Sequence, residues 1–208
     1  MRRILVFRFS AMGDVALVAP ALLGVVQAYP DVIITVVTRP KFAVFFENMP
    51  RIEVVKADID TIYKGAVGLY KLYQLLNKNN AKYDAIIDLH DNLRTKTLRF
   101  YFKIGGFFSI NKGNRVFVFN KGRAEKKKLI KHEIDTILPH TTLRYAEAFA
   151  QAGFPFVLPQ TPIFQFLTKN KEKNKVFNVG IAPFAKHATK ELPFSTISEL
   201  ILLLIEFD

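Results

Sequence analysis

The sequence contains no cysteine. Its absence excludes disulfides, thiolate metal sites and cysteine nucleophiles, and it is compatible with a reducing compartment. Long apolar runs are missing as well. Met1-Arg2-Arg3 followed by Ile4 to Phe7 superficially resembles a secretion signal, but Arg8 and then Asp14 interrupt it. Such a signal needs roughly 7–15 uninterrupted apolar residues. The apolar stretch 201–207 is far shorter than the ~20 residues that span a bilayer. The expectation is a cytoplasmic protein whose contact with a membrane, where it has one, is peripheral and on the inner face. Neither GxGxxG nor GxxxxGK[ST] occurs, which argues against nicotinamide and P-loop chemistry. His90, His132, His140 and His187 have no metal-ligand spacing to one another or to carboxylates, so no metal is expected.

What is present is a chain of 208 residues, half of them hydrophobic. That suffices for one core, or for one domain and the beginning of another. The formal charge is +12, and its excess is concentrated. Arg94, Lys96, Arg99, Lys103, Lys112, Arg115, Lys121, Arg123, Lys126, Lys127, Lys128 and Lys131 fall in one stretch whose only acid is Glu125. A segment of this kind attracts nucleic acid, anionic lipid or a phosphorylated substrate. The plain alternative is a solvated lysine-rich face.

Apolar runs alternate with helical spacing. Strands are predicted at 3–9, 32–37, 52–56, 84–89 and 104–110. Helices are predicted at 15–28, 40–46, 68–77 and 92–102. Asp14 stands where a helix N-cap belongs, and Pro20 should kink the helix that follows. This alternation implies an α/β fold, a Rossmann-like parallel sheet with helices on both faces. Ligands of such sheets bind at the carboxyl ends of the strands. Residues 112–140 are lysine-rich and weakly periodic, and 141–153 form a helix with a glycine stop. Prolines within 155–162 and the polar run 168–175 read as a linker. A strand at 176–181, a loop at 182–193 and a helix at 194–207 then begin a second unit. The expected domains are 1–154, a linker at 155–175, and 176–208.

Two segments carry chemistry. Ser10-Ala11-Met12-Gly13-Asp14 brings a carboxylate to a helix N-terminus at the end of the first strand. Read alone, Asp14 is either a cap or a catalytic group. Gly180-Ile181-Ala182-Pro183 follows a strand, and Lys190-Glu191-Leu192-Pro193 precedes a helix. Lysine beside free helix N–H groups suits a diphosphate, although Lys190 alone could be an ordinary surface residue.

Together these segments resemble the family 9 glycosyltransferases, the group of the lipopolysaccharide heptosyltransferases. The resemblance rests on Ser10 to Val15 with Pro20-Ala21, on Asp88-Leu89-His90, on His140 with Arg144-Tyr145, and on Gly180 to Ala185 with Lys190 to Pro193. Leu192 replaces the family's aromatic residue, and Leu17 stands nearest to its usual histidine. The resemblance implies an inverting type B fold, two Rossmann-like domains facing across a cleft, with only the start of the second domain in this chain. It implies a nucleotide-sugar donor and a lipopolysaccharide-core or related anionic glycolipid acceptor, with no cofactor and no metal. Asp14 would be the general base. Lys190, Thr189 and Lys186 would hold the donor diphosphate. Ser10, Ala11, Met12, Gly13, His90 and Arg94 would line the acceptor side. On this view the chain is a fragment, inactive by itself, whose last apolar helix packs alone or pairs with a second copy. The competing readings are a non-catalytic acceptor-binding half-enzyme and a nucleic-acid-binding protein. Nucleic acid is not expected, because the basic stretch carries no recognisable motif for it.

Overall fold

The computed structural model describes residues 1–78, 82–107, 115–159, 179–185 and 188–206. The chain divides into two compact units, Met1–Lys169 and Asn170–Asp208.

The first unit is built on a five-stranded parallel sheet. Its strands are β1 (Arg2–Phe7), β2 (Val32–Thr38), β3 (Ile52–Lys56), β4 (Ala85–Asp88) and β5 (Val116–Val118), in spatial order β3-β2-β1-β4-β5. β1 is central, with Ile4 opposite Ile34 on one side and Ala85 on the other. Its apolar run is buried on both faces, as a parallel sheet requires. Alternate residues feed two separate cores. Ile4, Val6, Ile34, Val36 and Ile87 pack under α2 (Val18–Ala28) and α6 (Thr141–Gln151). Leu5, Phe7, Val37 and Ile86 pack under α3 (Gly65–Leu76) and α4 (Leu93–Phe107). Each fully buried large side chain contributes about 1.5–3 kcal/mol.

Several local expectations change. Asp14 is not a cap: α1 (Met12–Ala16) starts earlier, with Ala11 at its N-cap, and Asp14 lies in its first turn. The predicted helix 15–28 is broken at Leu17, and Pro20 sits in the first turn of α2. Proline has no N–H to bond the carbonyl four residues back and its ring collides there, so the break precedes it by one turn. Residues 40–46 form a 3-10 turn, Pro40–Phe45. The fifth strand is not at 104–110. α4 continues through Phe107, and β5 lies further on; residues 108–110 fall outside those described. The Gly105-Gly106 pair that loosens a strand is here inside a helix, where Gly105 lies directly against the Tyr73 hydroxyl and leaves no room for a side chain. The lysine-rich stretch is partly regular, with α5 at Arg123–Ile130.

At the end of this unit Phe154 is buried in the first core and Phe156 packs edge-on against Phe149 at 5.9 Å. The opening of the predicted linker therefore belongs to the domain. The described part of the second unit contains a 3-10 turn, Ala188–Lys190, and α7 (Phe194–Glu206). The predicted strand at 176–181 lies outside the described residues up to 178, and 179–181 are irregular. Among the described residues no helix is long and apolar enough to cross a membrane.

Candidate functional site

In a sheet ordered β3-β2-β1-β4-β5, the connection after β1 leads to one face and the connection after β4 to the other. A crevice opens between them at the carboxyl ends. A cavity of about 400 Å³ lies there, lined by Arg8, Ser10, Ala11, Asp14 and His90 from these loops. Phe119, Lys121, Arg123, Lys126, Thr141, Arg144 and Tyr145 complete the lining. The two loops are stitched together. Leu89 N–H donates to the Phe7 carbonyl at 3.1 Å, and Phe9 N–H donates to His90 Nδ1 at 3.3 Å.

Arg8 organises the floor. Its side chain is only 6% exposed, whereas that of Asp14 is 43% exposed. One guanidinium nitrogen donates to the Leu89 carbonyl, and the other donates to Asp14 Oδ2 at 2.5 Å. The Phe119 and Tyr145 rings flank the cation at 5.7 and 5.8 Å. Such a cation over aromatic faces gains about 2 kcal/mol when desolvated. Tyr145 is fully buried and donates its hydroxyl to the Asp14 carbonyl at 3.2 Å. Burial pushes its phenol up to about 12. Asp14 is thus held at its side chain and at its backbone. Its second oxygen, Oδ1, has no hydrogen-bond partner among the described residues and remains available to a substrate.

His90 is buried, and it is neutral. Because Nδ1 accepts from Phe9 N–H, the ring proton resides on Nε2, which donates to Ser10 Oγ at 3.2 Å. Burial, then the charges of Arg8, Lys121 and Arg39, lower its pKa from 6.5 to about 4. Asp14 opposes this shift without cancelling it. The histidine is therefore a positioning and hydrogen-bonding group. Ser10 receives a proton contact from it and is not activated as a nucleophile.

Behind the crevice, Asp88 is wholly buried at the end of β4. Its Oδ1 accepts from His90 N–H at 2.9 Å and Asp91 N–H at 2.8 Å, which shapes the loop. Oδ2 faces Arg99 Nε at 3.3 Å without hydrogen-bond geometry. Burial raises the Asp88 carboxyl above its ordinary range. Also in the lining, Arg144 pairs with Glu125 and donates to the Pro139 carbonyl. Its guanidinium lies against Gly122, whose φ is +63° and where a Cβ would come within 2.5 Å of the guanidinium carbon. Lys121 donates to the Asp91 carbonyl at 2.7 Å, and burial followed by Arg123 lowers its ammonium. Asp14 is the only carboxylate lining the cavity, against five Arg and Lys side chains.

Ser10, Ala11, Asp14 and His90 come together as one wall. Met12 points to solvent, Gly13 does not line the cavity, and Arg94 is engaged by Asp60 at 3.2 Å outside it. Thr189 and Lys190 are exposed in the 3-10 turn of the second unit; Lys186 and His187 lie outside the described residues. Sequence reasoning missed Arg8, whose signal was a cation directly after the apolar run Ile4 to Phe7. It also missed the division of the basic stretch, which does not form one face. Lys121, Arg123 and Lys126 enter the cavity, Arg99 pairs with Asp88 and Asp91, and Lys96 and Lys103 lie on α4. Among the described residues no three His, Asp or Glu side chains are grouped to hold a metal ion.

No family model matches the sequence, and no curated protein matches it. Solved structures do match the fold. A glycosyl transferase family 9 protein from Veillonella parvula DSM 2008 superimposes with a TM-score of 0.54 at 22% identity, over 74% of this chain and 42% of that one. E. coli heptosyltransferase WaaC with ADP gives a TM-score of 0.53 at 22% identity, over 77% of this chain and 49% of its own. The same enzyme with ADP-2-deoxy-2-fluoro heptose gives 0.64 at 21% identity, over 97% of this chain and 65% of its own. The chain thus shares its α/β fold with these glycosyltransferases, and it spans about two fifths to two thirds of their length.

Proposed function

We propose that this chain belongs to the family 9 glycosyltransferases and acts in transfer of a sugar, heptose-like, from a nucleotide-diphosphate donor to an anionic glycolipid acceptor of the lipopolysaccharide-core type. The observation that carries this reading is a single clamped carboxylate, Asp14, at the floor of a cationic crevice at the carboxyl end of β1. Arg8 fixes Oδ2 of Asp14, a residue of the cavity lining, and leaves Oδ1 without a hydrogen-bond partner among the described residues. Oδ1 takes the proton of an acceptor hydroxyl as that oxygen bonds to the anomeric carbon. The bond from that carbon to the diphosphate breaks on the opposite face, inverting the centre. Such a base contributes about 10²–10⁴-fold. Lys121, Arg123 and Lys126 hold an acidic group of the acceptor beside the reacting hydroxyl. Lys190 and Thr189, with Lys186, take the donor diphosphate, whose charge grows as it leaves. The reaction needs no further cofactor, and a cytoplasmic site supplies the nucleotide sugar.

Calorimetric titration of the chain with a phosphorylated core saccharide tests the acceptor half. Binding should exceed that of the neutral saccharide and weaken in Lys121→Gln and Lys126→Gln. Equal binding of charged and neutral saccharides would refute it. Release of nucleoside diphosphate from a nucleotide sugar in the presence of acceptor tests the catalytic half. Acceptor binding without turnover would leave a non-catalytic acceptor-binding module.

A further inference from the structure

α3 and α4 cover one face of the sheet and pack on each other through Tyr73 and Phe102, whose rings meet edge-on at 4.9 Å. Their inner sides enter the second core through Leu69, Leu72 and Leu98. Their outer sides are unusual. Along α4, Leu93, Phe100 and Ile104 recur at a spacing that sets them on one stripe, and Leu93 and Phe100 are 81% and 57% exposed. On α3, Val67 is 72% exposed and Tyr70 stands one turn further on. Tyr70 and Phe100 are joined through Tyr101, with ring centroids at 5.4 and 6.1 Å, so the two stripes form one surface. Lys71, Lys96 and Lys103 flank it, and none has an ionic partner among the described residues. Neither helix contains a single Asp or Glu. Asp60 is engaged by Arg39 and Arg94, and Asp91 by Arg99.

We infer that the outer face of α3 and α4 docks on an anionic lipid bilayer, with Phe100, Leu93 and Val67 entering the headgroup region and the lysines meeting lipid phosphates. Aromatic and aliphatic side chains on a helix lying in the interface, flanked by lysine and free of acid, are the composition that such binding requires. Charge complementarity selects this occupant. A second copy docked face to face would set Lys96 and Lys103 against like charges. A nucleic-acid backbone would meet the apolar stripe with nothing to bond. Leu93 is three residues from His90 in the crevice wall, so a docked molecule brings its cavity to the membrane surface. The inference stands on this face alone and does not depend on the glycosyltransferase reading.

The chain has no tryptophan, which supplies a clean probe. Phe100→Trp places a sole indole on the face. Val44→Trp places one in the 3-10 turn whose Phe42 packs in the opposite core. With phosphatidylcholine vesicles containing phosphatidylglycerol, Phe100→Trp fluorescence should shift to the blue, and Val44→Trp should not. Pure phosphatidylcholine should bind far less, and salt should weaken the anionic binding. Lys96→Gln with Lys103→Gln should lower partition by about 25-fold, roughly fivefold per lysine. Unchanged melting of these exposed variants verifies folding. The proposal is overturned if Phe100→Trp emission ignores the anionic vesicles, if neutral vesicles bind equally, or if both probes shift alike. A blue shift that grows with protein concentration in the absence of lipid would overturn it too, because it would make this a face between copies.

Discussion

The pH dependence of stability follows most directly from His90. In the folded chain its pKa is near 4, depressed by burial and by Arg8, Lys121 and Arg39. In the unfolded chain it returns to about 6.5. The unfolded state therefore binds the proton more readily, and acid favours unfolding. Well above pH 6.5 both states are neutral at this residue and it contributes almost nothing to the pH dependence. As pH falls from 6.5 towards 4 the unfolded state is progressively stabilised. Applying two-state proton linkage to those two values gives a loss of about 2.5 kcal/mol by pH 4.5 and about 3 kcal/mol in the limit. His90→Asn isolates this contribution. Asparagine can still accept from Phe9 N–H, yet it cannot titrate. Urea unfolding of both proteins at pH 7.5 and pH 4.5 gives the comparison. Wild type should lose about 2.5 kcal/mol more than the variant over that interval. Carboxylate titration is shared by both and cancels in the difference. If the two proteins lose stability in parallel, His90 is not buried beneath a positive field, and the geometry assigned to the crevice is wrong.

Asp14→Asn should lower turnover by about 10²–10⁴-fold in an assay of diphosphate release while leaving acceptor binding near wild type. Because Asp14 pairs with a buried guanidinium and does not cap a helix, the same change should also cost about 1–3 kcal/mol in denaturant unfolding. Gly122→Ala should destabilise by about 1–3 kcal/mol, since alanine disfavours φ +63° and its Cβ displaces Arg144; a neutral result would refute the close approach. Tyr145 should be the last phenol to ionise, near pH 12, in a near-ultraviolet titration, and Tyr145→Phe should remove that step.

The sheet was legible in the sequence because its inner strands are buried on both faces and leave continuous apolar runs, such as Val32–Thr38. The failures have a common physical origin. Residues 104–110 contain paired glycines and aromatics, a composition that suits a strand as well as the end of a helix. Helix packing decided between them, because Leu98 and Phe102 anchor α4 in the core and carry the helix past Ile104. β5 is three residues long, too short for a period to register. Within the site, Ser10, Asp14 and His90 follow strand ends and could be placed by topology alone. Lys121, Arg123, Lys126 and Arg144 could not. They are distant in sequence from the β1 turn, and only the return of α5 and α6 across the carboxyl edge brings them to it.

That return also explains how one crevice can hold a carboxylate and attract an anion. Counting charges along the chain would treat all five cations as free, and counting contacts shows that they are not. Arg8 is neutralised by Asp14 and Arg144 by Glu125. The cavity cations left without an ionic partner among the described residues are Lys121, Arg123 and Lys126. Lys121 also adds to the depression of His90, after burial and Arg8. On the proposed reading, the crevice takes two anions, the carboxylate on Arg8 and a ligand's acidic group on Lys121, Arg123 and Lys126. On the proposed reading, an acceptor is anchored by its charge and offers a neighbouring hydroxyl to Asp14. Neutral saccharides of the same shape lack the anchor. On that reading, selectivity for an acidic acceptor would arise from the pairing pattern of the cations and not from their number.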